Sequence, residues 1–217
     1  MYICIGMILG WIFSEDVYNL LKAPILPVLK SSSTSFISTD ILEGFSVRMT
    51  MALLVGILIS IPFLTVESWG FIAPGLTRQE KRGVWLVAPL SIILFAGGVA
   101  VGYYILPTGV GWLISQNFSE VKFMPRVQQT ILFVLKMCLA FGLVFQLPVI
   151  MMFLAKIGII NSALLRSHWK HAIVILAIIS AVTTPSGDAF SMLMMCFPLI
   201  GLYGLSIGLV RLVEKRT

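Results

Sequence analysis

The sequence predicts an all-α fold, a polytopic membrane helical bundle of six transmembrane helices, the first of them incomplete at the N-terminus. Of its 217 residues, 59% are hydrophobic and only 11% are charged, and the mean hydropathy is +1.02. A soluble domain carries about 25% charged residues. The apolar residues form long continuous runs, whereas a transmembrane barrel would show alternating strands of ~10 residues. We therefore expect residues 1–217 to form a single membrane domain.

Six apolar runs set the predicted spans. They cover about 1–13 (partial), 47–68, 84–106, 130–155, 171–184 and 189–210. The first run is shorter than the ~20 residues that a span requires, so we expect it to be the second half of a span whose beginning is missing. The fifth run is also short: at 1.5 Å per residue it reaches only ~21 Å, against ~30 Å of hydrocarbon.

Small residues repeat at four-residue spacing within three of these runs. This spacing lets two helices approach closely in a membrane, so it predicts packing faces. The pairs are Gly6 with Gly10, Gly98 with Gly102, and Gly204 with Gly208.

Turn and cap signals divide the predicted spans. Pro107 is predicted to end the third span, because proline removes a backbone donor. Asn161 or Ser162 is predicted to cap a short helix, and Asp188 to cap the last span, since short polar side chains accept from backbone N–H groups there. A further short helix is predicted over 15–22, stopped before Pro24.

Lysine and arginine counts predict the orientation. Segments 70–83, 156–170 and 211–217 carry three each, whereas 14–48 carries three, 108–129 two and 185–188 none. The positive-inside rule places the first group in the cytoplasm, with both ends of a complete six-span protein there as well. The net charge of +6 suits anionic lipid head groups. Because these bases are scattered among loops, they do not indicate nucleic-acid binding.

The sequence lacks the familiar patterns of catalytic and metal sites. It has no HExxH, G-x-S-x-G or Walker motif, and its three cysteines lack metal-ligand spacing. His168 and His171 are expected to be solvated at the membrane surface rather than to bind a metal. We predict neither enzymatic activity nor a cofactor, and an intramembrane enzyme is the least favoured alternative.

Glu80 is an acid among bases, just beyond an apolar run. It follows Arg78 and precedes Lys81 and Arg82 in a segment predicted to be a loop, opened by a break at Pro74 and Gly75. One interpretation is a solvated acid that balances its neighbours. The other is a carboxylate that receives a guanidinium, because two arginine N–H groups meet two carboxylate oxygens in a planar fork.

Lys136 and Gln146 lie within the predicted fourth span. An intramembrane lysine is a candidate functional residue, although Lys136 is shallow enough to extend its amine to the interface. Gln146 lies deeper and must find a hydrogen-bond partner, either as simple contact between helices or within a cavity. The pair leaves open a small-molecule secondary transporter with a polar intramembrane site.

Several sequence elements resemble, in order, the TatC family of twin-arginine protein translocase receptors. They are Trp69-Gly70-Phe71-Ile72-Ala73-Pro74-Gly75-Leu76 with Glu80-Lys81-Arg82; Ser38-Thr39-Asp40; Leu135-Lys136-Met137 with Phe145-Gln146-Leu147-Pro148-Val149; Lys156-Ile157-Gly158; and Thr184-Pro185 with Asp188. The resemblance covers nearly the whole chain, which makes it more specific than any single motif.

This resemblance implies a six-helix receptor of the bacterial inner membrane that exports folded proteins. Such proteins bind twin-arginine signal peptides, assemble with single-span Tat subunits of the TatA and TatB type and with further copies of themselves, and use the proton-motive force. By position, Glu80 would contact the arginine pair with Phe71 and Arg82 nearby. Pro24 and Asp188 would be structural or functional positions on the far side.

The chain departs from the family pattern in two respects. The family's N-terminal segment, which carries an acidic residue near the signal-peptide site, is absent, so a shortened receptor is expected to bind weakly. The family usually has glutamate where this chain has Gln146. Glutamine retains hydrogen bonds but does not ionise, which argues against a proton relay at this position.

Overall fold

A computed structural model describes residues 2–27, 40–72, 78–116, 125–156, 158–183 and 188–214, with the backbone alone for 68–72, 78–88, 113, 183 and 213. Within these ranges the chain forms nine α-helices. They are α1 (Tyr2–Ile12), α2 (Ser14–Lys22), α3 (Glu43–Ile72), α4 (Arg78–Ser115), α5 (Val127–Val144), α6 (Leu147–Lys156), α7 (Ser162–Ser167), α8 (Trp169–Thr183) and α9 (Ala189–Glu214).

All six predicted spans coincide with helices, which confirms the all-α membrane fold. Four described segments are long and apolar enough to cross a membrane: Glu43–Glu67, Pro89–Trp112, Val127–Lys156 and Ala189–Leu212. The two remaining spans are the ones predicted to be short. Helix α1 qualifies only together with α2, across a bend of 78°, and α8 is a shorter apolar helix.

The predicted end of the third span at Pro107 is wrong, because α4 continues to Ser115. A proline inside a membrane helix removes one hydrogen bond, but neighbouring groups can satisfy the freed carbonyl, and such helices tolerate it. The residues beyond Pro107 are still largely apolar, with Trp112 and Ile114 among them, so the helix persists through the proline.

The predicted fourth span is divided into α5 and α6 at Phe145 and Gln146. Pro148 has no N–H to donate to the carbonyl of Val144, so the regular hydrogen-bond pattern stops. The carbonyl of Gln146 then accepts from the N–H groups of Val149 and Ile150, each at 3.0 Å, which starts α6.

Two compact units make up the chain, and the first comprises Met1–Phe63 and Val99–Leu139. In this unit α1 packs closely on α3. A Cβ at Gly6 would lie 2.8 Å from the Cα of Gly56, and one at Gly10 would lie 3.1 Å from the Cα of Ala52. These separations confirm the predicted glycine face of the first helix, because only glycine allows such an approach.

The second unit comprises Leu64–Gly98 and Ala140–Thr217. Here Gly98 packs tightly, since a Cβ would lie 2.7 Å from the carbonyl oxygen of Phe141. The prediction for Gly204 and Gly208 is wrong in the described part of the chain: both are exposed, and a Cβ at either would meet no atom within 4 Å. Helix α9 instead buries a stripe of larger side chains: Met195, Leu199, Leu202, Ser206 and Val210.

Candidate functional site

The predicted peptide-binding residues Phe71, Glu80 and Arg82 belong to the second unit. Phe71 is the next-to-last residue of α3, and Glu80 and Arg82 are the third and fifth residues of α4. The predicted loop over 70–83 is therefore wrong at both ends, because helix extends to Ile72 and resumes at Arg78. The break at Pro74 and Gly75 lies outside the described residues, as does the surrounding segment 73–77. The backbone thus places all three residues at the two helix ends that flank this connection.

Gln146 is buried, with 5% of its surface exposed, and its side chain binds Ser91 twice. The Ser91 hydroxyl donates to Oε1 of Gln146 at 2.6 Å. Nε2 of Gln146 donates to the Ser91 backbone carbonyl at 3.0 Å. The sequence analysis required a hydrogen-bond partner for Gln146 but did not identify which residue it is. The sequence analysis did not identify Ser91. A serine inside an apolar run could have indicated it, because hydroxyl groups there commonly form hydrogen bonds across helices.

Lys136, the other polar residue predicted within the fourth span, is exposed on α5. An exposed lysine in an apolar helix can extend its methylene groups along the helix and place its amine near the interface. Both polar ends of the Gln146 amide are occupied by Ser91. The described side chains therefore do not support a vacant polar site at Gln146.

Asp188 and Pro24 lie at helix ends, in the second and first unit respectively. Oδ2 of Asp188 accepts from the N–H of Ser191 at 2.7 Å, which confirms the predicted cap of the last helix. Pro24 lies two residues after the end of α2, which stops before it as predicted, and is buried together with Ile25. Both contacts position the backbone at the start or end of a helix.

Glu43 is a buried acid that the sequence analysis did not identify. It is 5% exposed, and its Oε1 accepts from the N–H of Gln128 at 3.2 Å, in the first turn of α5. A carboxylate is favourable at a helix N-terminus, where N–H groups lack partners inside the helix. It borders a cavity of about 450 Å³ beside the exposed ion pair of Arg48 with Glu15 at 3.3 Å.

The start of α7, in the segment between α6 and α8, is held by the side chains of Asn161 and Glu214. Oδ1 of Asn161 accepts from the N–H of Leu164 at 2.6 Å, which confirms the predicted cap. The carboxylate of Glu214 accepts from the N–H of Ser162 at 2.6 Å and from its hydroxyl. These two bonds hold the pKa of Glu214 below its ordinary value, because they favour the ionised form.

His168 and His171 lie close together at the start of α8, with ring centroids 5.8 Å apart. Nδ1 of His168 faces the carbonyl of Leu164 at 3.1 Å. Among the residues that the structure describes, no group of three histidine, cysteine or acidic side chains is arranged to hold a metal ion.

Comparison with known proteins gives one consistent family. The family model described as TatC, Sec-independent protein translocase protein, matches residues 1–198. The Sec-independent protein translocase protein TatC of Desulforapulum autotrophicum is 34% identical over 213 residues, covering 98% of this chain and 78% of the relative. That of Koribacter versatilis is 31% identical over 218 residues, covering 99% and 80%.

The fold is similar to that of a solved protein. A crystal structure described as the twin arginine translocase receptor TatC superposes with a TM-score of 0.82 at 31% identity. The match covers 98% of this chain and 93% of that one.

Proposed function

Because this chain belongs to the TatC family of Sec-independent protein translocase proteins, we propose that it is a membrane receptor that binds twin-arginine signal peptides and exports folded proteins. The family consists of translocase components rather than enzymes. The observation that carries the proposal is the match along nearly the whole chain, in sequence and in fold. It includes the two helix ends that hold Phe71, Glu80 and Arg82.

Recognition of the signal peptide is assigned to the connection between α3 and α4. A carboxylate and a guanidinium form two parallel, charge-assisted hydrogen bonds, and a lysine ammonium does not reproduce this geometry. Glu80 is the acid of this connection in the family pattern. It is the third residue of α4 and is followed directly by two bases, Lys81 and Arg82. We assign Glu80 to the arginine pair of the peptide, with Phe71 and Arg82 beside it.

The protein is a membrane component, and we place it in the bacterial inner membrane. The lysine and arginine counts assign the α3–α4 connection, the segment between α6 and α8, and the residues after α9 to the cytoplasm. A cytoplasmic α3–α4 connection meets signal peptides on the side where cargo is made. Single-span Tat subunits and further copies of the chain complete the proposed complex, and the proton-motive force drives transport.

The secondary transporter is the weaker candidate. It needs a polar site that a small solute can enter near the centre of the membrane. Ser91 already occupies the donor and the acceptor ends of the buried Gln146 amide. The same occupied amide, which does not ionise, argues against a proton relay at this position.

The test compares binding of two signal peptides that differ only in carrying Arg-Arg or Lys-Lys. Glu80→Gln should weaken binding of the Arg-Arg peptide by ~1.5–3 kcal/mol, the value of a hydrogen bond to a charged group. The Lys-Lys peptide should lose less. The control is Glu15→Gln, which removes an exposed acid from the first unit. Equal losses for both peptides would contradict recognition by the arginine fork, and binding unaffected by Glu80→Gln would contradict the assigned site.

A further inference from the structure

A groove in the second unit lies among α6, α7, α8 and α9 and has a volume of about 410 Å³. Small-molecule pockets in proteins are commonly about 300–1,000 Å³, so it can hold one ligand. From the residue before α8 and along that helix, its wall is formed in order by His168 and His171 at one end and then by Ala172, Ile175, Leu176 and Ile179. These residues recur at helical spacing, so they form a continuous strip ~16 Å long at 1.5 Å per residue.

The groove is polar at one end and apolar along the rest. On the α9 side it contains two hydroxyl groups, but both already donate to backbone carbonyls: Tyr203 to Leu165 at 2.7 Å and Ser206 to Leu202 at 2.7 Å. His171 has no hydrogen-bond partner among the described residues, and its ring can donate an N–H group to a ligand. The groove therefore suits an amphiphile with its polar group at His171.

The chain segments that flank the polar end of the groove carry more bases than acids. The described residues 158–171 and 203–214 contain the bases Arg166, Lys170 and Arg211 and one acid, Glu214. That acid accepts two hydrogen bonds from Ser162. Basic pockets between membrane helices at the cytoplasmic face are typical binding sites for anionic lipid head groups.

The polar end also lies where a lipid head group would be. Trp169 begins the apolar helix α8 and is 50% exposed, with the amine of Lys170 5.9 Å from its ring centroid. Tryptophan is enriched at the membrane–water interface, and a flanking lysine places its charge at the same level. From this level the apolar strip of α8 runs toward the hydrocarbon, in the direction of an acyl chain.

We propose that this groove binds one anionic phospholipid, with its phosphate at His171 and an acyl chain along Ala172, Ile175 and Ile179. The excess of bases over acids in the flanking segments favours an anionic lipid head group over a zwitterionic one. The site is separate from the α3–α4 connection, and the proposal does not depend on peptide recognition there.

The experiment uses the whole protein, purified and delipidated in a neutral detergent. Phosphatidylglycerol, phosphatidylcholine with the same acyl chains, and inorganic phosphate are added separately. The number of lipid molecules bound per protein is measured by native mass spectrometry, and the midpoint of thermal unfolding is measured in parallel. We expect one retained phosphatidylglycerol and a raised midpoint. A charge near the membrane surface favours the anionic lipid by roughly five-fold or more.

A matched pair of variants tests the groove itself. Ile175 and Ile178 are both on α8 and are 56% and 58% exposed, but only Ile175 lines the groove. Ile175→Trp should fill it and abolish retention of phosphatidylglycerol, whereas Ile178→Trp should leave retention unchanged. His171→Ala should reduce the preference over phosphatidylcholine, and His171→Gln, which retains an N–H donor, should restore part of it.

Three results would overturn the proposal. The first is equal retention by the two tryptophan variants, which would place the lipid elsewhere. The second is equal retention of the two lipids, which would mean an apolar surface open to any membrane lipid or helix. The third is a midpoint raised as far by inorganic phosphate as by phosphatidylglycerol, which would mean a site for free anions.

Discussion

Ser91 and the Gln146 side chain form a closed ring of two hydrogen bonds between α4 and the turn that separates α5 from α6: the Ser91 hydroxyl donates at 2.6 Å and the Ser91 backbone carbonyl accepts at 3.0 Å. Both residues are buried. An amide left without partners in this environment would cost several kcal/mol on transfer from water, so each residue makes the burial of the other acceptable.

Removing the serine hydroxyl should destabilise the protein modestly. Ser91→Ala leaves Oε1 of Gln146 without its donor, while the bond to the backbone carbonyl remains. Side-chain hydrogen bonds between membrane helices contribute on average about 0.6 and at most about 1.7 kcal/mol, and we expect a loss in this range. The measurement is reversible unfolding in mixed micelles. The control is Ser115→Ala, which removes an exposed hydroxyl from the end of the same helix. Equal effects of the two substitutions would show that the ring adds nothing beyond an exposed hydroxyl.

Gly56→Ala should be strongly destabilising, because its Cβ would lie 2.7 Å from the backbone nitrogen of Met7. Backbone cannot move aside as a flexible side chain can, so α1 and α3 would have to separate, at a cost of about 1–3 kcal/mol. Gly201→Ala is the matched control, since its Cβ would meet no atom within 4 Å. It should be neutral or stabilise α9 by up to ~1 kcal/mol through helix propensity. Thermal unfolding of both variants tests the difference, and a larger loss for Gly201→Ala would contradict the packing described.

The contact between Glu214 and Ser162 should make stability depend on acid pH. Since the pKa of Glu214 is lower in the folded protein than in the unfolded chain, its contribution is present above the ordinary carboxyl pKa and is lost as pH falls through the folded value. Glu214→Gln should therefore make the midpoint of thermal unfolding less dependent on pH between neutral and acid conditions, and Ser162→Ala should do the same. If either variant loses as much stability on acidification as the unmodified protein, another carboxylate is responsible.

The short helix α8 offers a test of how the proposed export works. Its 15 residues reach only ~22 Å, against ~30 Å of hydrocarbon, so the bilayer would thin beside it or partner helices would fill the difference. Thinning would lower the barrier to a folded polar cargo. Inserting Leu-Ala-Ile-Leu after Ile179 lengthens the helix by ~6 Å and should therefore slow export.

An insertion also rotates the downstream part of the helix, and this rotation needs its own control. Four residues rotate the downstream face by ~40°, and three residues rotate it by ~60° in the opposite direction with a similar gain in length. A length effect predicts that both insertions slow export of a twin-arginine reporter. Normal export by either folded variant would contradict thinning as the cause, because length is increased in both.

The positions of the spans could be predicted because apolar runs of this length have few alternatives in a membrane protein. The caps at Asn161 and Asp188 could be predicted because they involve residues three positions apart. The partner of Gln146 could not, since Ser91 lies 55 residues away and many serines occur in apolar runs. Pro107 was misleading, because proline ends helices in water more reliably than in lipid.

The face of α9 was mispredicted for a different reason. Glycine spacing indicates which residues permit a close approach, but not whether another helix makes it. Gly6 has Gly56 opposite, whereas Gly204 has no such neighbour in the described part of the chain. Phe71, Glu80 and Arg82 were predicted within one loop, whereas the first helix extends to Ile72 and the next begins at Arg78, so all three lie at helix ends.

The 78° bend between α1 and α2 relates the direction of α2 to that of α1 within the first unit. With α1 along the membrane normal, α2 lies nearly parallel to the surface, where an amphipathic helix is most stable. Its exposed acids Glu15 and Asp16 oppose movement into hydrocarbon, and its exposed Leu20 opposes movement into water. Because α1 contacts α3 at Gly56, a surface helix at the end of α1 would set the depth of α3 together with that of α1.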